Sequence, residues 1–170
     1  MKYIGSSAVF SGCEGYRYYL SRTWDVLGPR VLYIMLNPSR AGTKSDDPTV
    51  RWLASYSERN NYCGLGIVNL FAAVEPVPAV MFRMRDPVGP ACDEYILNAV
   101  ESGLFTRFVA AWGNGGLEEI AKPRVEFVVD VVTKQMKQPL YCIGRTKGGA
   151  PMHPLRKSHG LELTIYEEAA

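Results

Sequence analysis

The sequence predicts an α/β protein built on a mostly parallel sheet. Four short, continuous apolar runs, Val31–Leu36, Leu65–Leu70, Phe108–Trp112 and Leu140–Ile143, have the length and character of strands buried on both faces. Segments with helical spacing of apolar residues lie between them, and strand–helix alternation of this kind builds parallel sheets. The composition, 47% apolar and 21% charged, is that of an ordinary globular domain. A chain of 170 residues is expected to form one domain, residues 1–170, able to bury its core without disulfide or metal staples.

Each element has its own warrant. Residues 8–22 alternate around a turn at Gly12–Gly15 and read as a β-hairpin with an aromatic face. The sequence leaves open whether this hairpin extends the sheet or covers a site. After the first buried strand, Pro48–Arg59 reads as a helix, with Asp47 as its cap and Pro48 in its first turn. Glu75–Pro90 holds four prolines and is expected to be loop with at most short turns. Ala91–Ser102 reads as a helix with Ile96, Leu97 and Val100 on one face. Gly113–Gly116 breaks the chain after the third strand. Pro123–Met136 reads as a helix because Val125, Val128, Val129 and Val132 fall at helical spacing. Leu161–Tyr166 is a fifth strand, near the edge.

Composition excludes several classes of function. No apolar run approaches the ~18 residues of a membrane span, and the N-terminal MKYIGSSAVFSG lacks the apolar core of a secretory signal. A cytoplasmic protein, monomeric and without membrane contact, is therefore expected. Cys13, Cys63, Cys92 and Cys142 are 50, 29 and 50 residues apart, with no CxxC pair, so neither a metal nor another cofactor is expected. The net charge of +2 is unevenly spread: residues 134–160 hold six cations and no acid, whereas residues 61–133 hold five cations and nine acids. A basic C-terminal face that suits a polyanion is one reading; ordinary basic surface loops are the other.

The polar and glycine-rich residues gather where the strands end. Asn37–Pro38–Ser39 follows the first strand, Asn69 closes the second, Trp112–Gly113–Asn114 the third, and Gly144–Gly149 with Met152–Leu155 the fourth. Ligands of open parallel sheets bind at those carboxyl ends. Asn69 sits inside an apolar run, and its amide offers the donor and acceptor that suit the edge of a nucleobase. His153 stands beside Arg145, Lys147 and the Gly148–Gly149 turn, which can admit a phosphate to the backbone. Trp52, Phe71 and Trp112 are either base-stacking or core aromatics. Asp46–Asp47 reads as a helix cap with a loop hydrogen bond, in preference to a metal or acid–base pair, because no His or Glu cluster lies near it in sequence.

Motifs in this order resemble the uracil-DNA glycosylase superfamily. MLNPSRA resembles its first loop, IVNL its base-reading strand end, Trp112–Gly113 its next strand end, and Met152–Arg156 its final HPSPLS-like loop, here shortened to HPLR. Nearly the whole chain also resembles a phage and bacterial family catalogued as a domain of unknown function, through RYxLSR, LNPSxA with DDPTVR, VNLFA, WGN and TKxGxPxHPL. The glycosylase resemblance implies a three-layer α/β/α fold with a central, mostly parallel four-stranded sheet plus the N-terminal hairpin. It implies a hydrolase of N-glycosidic bonds that takes a modified or mismatched base flipped out of DNA, single- or double-stranded.

In that scheme Asn37 holds the attacking water and His153 donates a hydrogen bond to the leaving base. Asn69 reads the base, with Phe71 or Trp52 stacked on it. Ser39, Arg145, Lys147 and Arg156 hold phosphates, and Leu155 wedges into the stack. An amide cannot accept a proton as a carboxylate does, so general-base help worth ~10²–10⁴-fold is missing from this set. The enzyme is then expected to be slow, or confined to bases that leave easily, such as a hypermodified base of a phage or mobile element. The alternatives are a base- or nucleotide-binding module that does not cut, and an enzyme acting on a free modified nucleotide.

Overall fold

The structure, a computed structural model, describes residues 2–39, 41–155, 157–167 and 169–170. Seven strands form one mixed sheet: β1 (Gly5–Phe10), β2 (Arg17–Thr23), β3 (Arg30–Met35), β4 (Gly64–Asn69), β5 (Arg107–Ala110), β6 (Leu140–Cys142) and β7 (Thr164–Glu167). Four α-helices accompany it: α1 (Pro48–Arg59), α2 (Pro78–Met81), α3 (Cys92–Glu101) and α4 (Lys122–Asp130), the last continued by a π-helical turn over Val131–Gln135. Among the described residues, no helix is long and apolar enough to cross a membrane.

The strand order is β1-β2-β4-β3-β5-β6-β7. Neighbours from β4 to β6 are parallel, and both edges are antiparallel. The expected four-stranded sheet is thus too small. The hairpin does not stand apart from it: β2 pairs with β4 from Leu20–Ile67 to Thr23–Gly64 and extends the sheet. At the far edge β7, short and mostly exposed, pairs with β6, and short edge strands of this kind discourage pairing with other chains.

Side-chain alternation on β3 divides the core. Val31, Tyr33 and Met35 face α1 with Leu65, Ile67 and Val109. Leu32 and Ile34 face α3 and α4 with Val68, Phe108 and Leu140. Successive residues of a strand point to opposite faces, so one apolar run serves both cores. Helices cover both faces as a result.

Chain order places the site. From β3 the chain crosses through α1 to β4 on one side; from β4 it returns past α3 to β5 on the other side of β3. The winding direction reverses at β3, and the crevice beyond its carboxyl end is where open α/β sheets bind ligands. Asn37 lies two residues past that end.

Helix α1 begins where the sequence indicates. Asp47 Oδ1 accepts a hydrogen bond from the backbone N–H of Val50 at 2.8 Å, and Pro48 occupies the first turn, where a missing N–H costs nothing. The Gly113–Gly116 break winds into a 3₁₀ turn, Gly113–Leu117. Gly113 has φ +68°, and a Cβ there would lie 3.2 Å from Cβ of His153. Glycine at this position supplies the backbone conformation and admits the histidine segment to the strand ends.

Candidate functional site

A cavity of about 370 Å³ opens at the carboxyl ends of β3 and β4. Met35, Ile67 and Asn69 come from those strand ends, and Arg17 comes from β2. Asn37 and Ser39 line it from the loop after β3, and Asp47, Thr49 and Val50 from the start of α1. Trp112–Gly115 and His153 with Leu155 add to the lining, as do Pro76 and Pro78, the latter the first residue of α2.

Asn69 is the most unusual group in it. The residue is 2% exposed, and among the described residues neither its amide nitrogen nor its amide oxygen has a hydrogen-bond partner. A buried polar group left unpaired costs ~1–3 kcal/mol, so such groups are rare unless something else completes them. The backbone around it is held firmly. Leu70 N–H donates to the Met35 carbonyl at 2.9 Å, the Cys92 thiol to the Asn69 carbonyl at 3.4 Å, and Arg124 Nε to the Leu70 carbonyl at 2.9 Å. Burial pushes the Cys92 thiol up to about 11, which leaves it protonated and able to donate.

Asn37 differs from Asn69. Its Nδ2 donates to the Glu75 carbonyl, which fixes the amide, and the residue lines the cavity with Oδ1 as its acceptor. His153 is half-buried, and its Nδ1 accepts from the Leu155 backbone N–H at 3.2 Å. Burial lowers its pKa below the usual histidine value, partly opposed by Asp47. The neutral ring therefore carries its proton on Nε2, which is a donor.

Two buried arginines of β2 fix the loop that carries Asn37, Ser39 and Asp47. Arg22 donates through Nε to Asp46 Oδ1 at 2.8 Å and through Nη2 to the Gly42 carbonyl; Asp46 Oδ2 accepts from the Tyr3 hydroxyl at 2.6 Å. Arg17 donates through Nη1 to the Ala41 carbonyl at 2.9 Å, while its Nε has no partner among the described residues. Desolvation pulls the Arg17 guanidinium down to about 10, against the attraction of Asp47. Arg17 is 3% exposed and still lines the cavity.

The cavity brings together Asn37, Ser39, Asn69, His153 and Leu155 of the residues the sequence singles out. A neighbouring groove of about 440 Å³ shares Gly113, Asn114, His153 and Leu155 with it, and adds Lys147 and Lys157. Other residues lie elsewhere. Phe71 is in the core, edge-to-face with Phe82, because the chain bends at Leu70–Phe71 and leaves the strand alternation. Trp52 lies beyond the first turn of α1, stacked against Tyr56 and His159, its Nε1–H donating to the Lys157 carbonyl at 2.8 Å. Arg145 is outside the cavity; its guanidinium lies 4.5 Å from the Tyr166 ring centroid and donates to the Tyr166 carbonyl. Arg156 lies outside the described residues.

Within the six-cation run, Lys134 pairs with Asp130 at 2.7 Å, while Lys147 and Lys157 flank the groove. Sequence reading missed Arg17 and Thr49 as cavity residues, gave Asn114 a place at a strand end but no role, and took Asp47 only as a cap. The available signal was the arginine pair in RYYLSR, since a cation alternating with aromatic residues on a strand needs a buried partner or a ligand.

Among known families, one model matches residues 17–155, that of a protein of unknown function, DUF1643. The match spans most of the chain, and the chain belongs to that family. No curated protein and no solved structure matches it.

Proposed function

We propose that this DUF1643 protein takes a nucleobase from a nucleic-acid strand into the cavity and hydrolyses its N-glycosidic bond. The observation that carries the proposal is Asn69, a buried amide without a partner on the wall of a cavity at the sheet's switch point. A side-chain amide presents one donor and one acceptor side by side, and a nucleobase edge presents the complementary pair. Completing both bonds at once removes the cost of leaving them unmade, which gives affinity and selectivity together.

The remaining groups support hydrolysis. Asn37 Oδ1 accepts a hydrogen bond from the attacking water. The Nε2–H of His153 donates to a carbonyl oxygen of the leaving base as negative charge develops there. Lys147 and Lys157, in the groove that runs into the cavity, hold flanking phosphates, and Ser39 reaches the phosphate at the cavity mouth. Leu155, 39% exposed between cavity and groove, fills the gap left in the stack. Extruding the base costs a few kcal/mol, least where pairing is already weak, so damaged, mismatched or modified bases are favoured.

The test is base release from labelled single- and double-stranded oligonucleotides containing uracil, mismatched thymine or hydroxymethylated bases, read as alkali-labile abasic sites. Abasic product from the wild type, lost in Asn69→Ala, is expected. Salt-sensitive binding without product would replace hydrolysis by base recognition alone. Activity on free nucleotides, indifferent to strand length, would replace the strand by a small substrate.

A further inference from the structure

We infer that Asp47 is the catalytic base, the carboxylate that takes the proton of the attacking water in this cavity. The assignment rests on the hydrolase reading above and supplies what an all-amide site lacks. Asp46 and Asp47 are adjacent in sequence and opposite in use. Asp46 is saturated, with one oxygen on Arg22 and the other on the Tyr3 hydroxyl, and it lies off the cavity. Asp47 lines the cavity and, among the described residues, commits only Oδ1, to the Val50 N–H. Among the described residues, no hydrogen bond or ion pair takes its Oδ2. Capping α1 therefore positions the carboxylate without exhausting it.

Asn37 and Asp47 stand on the same cavity with complementary capacities. The Nδ2 of Asn37 is held by the Glu75 carbonyl, so its Oδ1 accepts but cannot be protonated to any useful extent. Asp47 Oδ2 accepts and can take the proton. A water donating one O–H to each acceptor has its lone pair free for the sugar. Arg17 and His153 line the same cavity as Asp47, so a cation and a hydrogen-bond donor share the site with the carboxylate.

In the step, the water oxygen forms a bond to C1′ and the C1′–N bond breaks. Its electron pair passes to the base nitrogen, and the Nε2–H of His153 stabilises the charge on the base. The water's proton moves to Asp47 Oδ2, and the departed base takes a proton from solvent. The products are the free base and a sugar with a C1′ hydroxyl.

Asp47→Asn and Asp47→Ser keep a good helix cap and remove the proton acceptor. The experiment measures single-turnover base release from the oligonucleotide that the wild type cleaves best, with binding by fluorescence anisotropy and the thermal midpoint alongside. A loss of release of ~10²–10⁴-fold in both variants, with binding and midpoint unchanged, is expected. Release at the wild-type rate would overturn the role of Asp47 and leave the hydrolase intact. Binding lost in step with release would make Asp47 a binding group and overturn its role as base. No release by the wild type from any base in the panel would sink the hydrolase reading and this assignment together.

Discussion

Arg17 and Arg22 stand five residues apart on β2, and both are almost fully buried. Their surroundings differ. Arg22 faces Asp46 and the carbonyls of the loop at residues 42–45, and its charge and donors are answered by the protein. Arg17 has one carbonyl partner, an orphaned Nε and a place on the cavity wall. The same contrast separates Asn37, whose nitrogen is held, from Asn69, whose amide is not. A buried polar atom answered by its own chain holds the fold in place, whereas on the proposed reading one left short at a cavity is completed by the ligand. The fold holds the loop after β3 with the first kind and presents the second kind to whatever enters.

Substitutions separate the two kinds. The largest expected effect on stability is from Arg22→Met, which strands Asp46 and frees the loop; urea unfolding should show a loss of about 3 kcal/mol, as for a broken buried ion pair. Asn69→Leu should go the other way, gaining about 1 kcal/mol by removing an unpaired amide while abolishing selection among bases. If Asn69→Leu destabilises instead, the amide is satisfied within the protein and the contrast with Asn37 collapses. Arg17→Met should change stability by no more than about 1 kcal/mol, because a desolvated charge is lost with a single bond, yet weaken oligonucleotide binding by at least ~10-fold, the cost of a charge-assisted hydrogen bond. Equal stability losses in the Arg17 and Arg22 variants would erase the distinction.

The smallest effect is pH-dependent. Burial holds the pKa of His153 in the folded state below its ordinary value of 6.5. As pH falls below 6.5 the unfolded chain takes up the proton first, so stability declines until pH passes the lower folded-state value; above 6.5 the contribution is complete. His153→Gln should flatten that part of the stability curve relative to wild type and leave neutral pH unchanged. Parallel curves for the two proteins would show that His153 titrates as it does in water.

What could be read from the sequence follows from what is local. The four buried strands and the start of α1 are visible because apolar runs and a capped Asp–Pro step act over a few residues. The meeting of Asn37, Asn69 and His153 was accessible because each lies at or beyond the carboxyl end of one of the parallel strands. Arg17 was not, since only the non-local pairing of β2 with β4 carries it to those strand ends. Asp47 was recognised as a cap, but its second oxygen became relevant only once the start of α1 was seen to line the cavity. Phe71 and Trp52 show the reverse case, lying outside the cavity lining. One backbone bend and one extra helical turn send aromatic residues next to site residues into the packing instead.

The most direct measurement is the side-chain amide signal of Asn69 in ¹⁵N-resolved NMR, titrated with oligonucleotides carrying one cleavage-resistant 2′-fluoro nucleotide of uracil, thymine or a hydroxymethylated pyrimidine. Both Asn69 amide protons should move, saturably and with the same affinity as binding, while the amide of Asn60 on the distant end of α1 stays fixed. Binding that shifts the Lys147 and Lys157 groove but leaves the Asn69 amide unmoved would contradict the account, because the unpaired amide would then not be the group that meets the base.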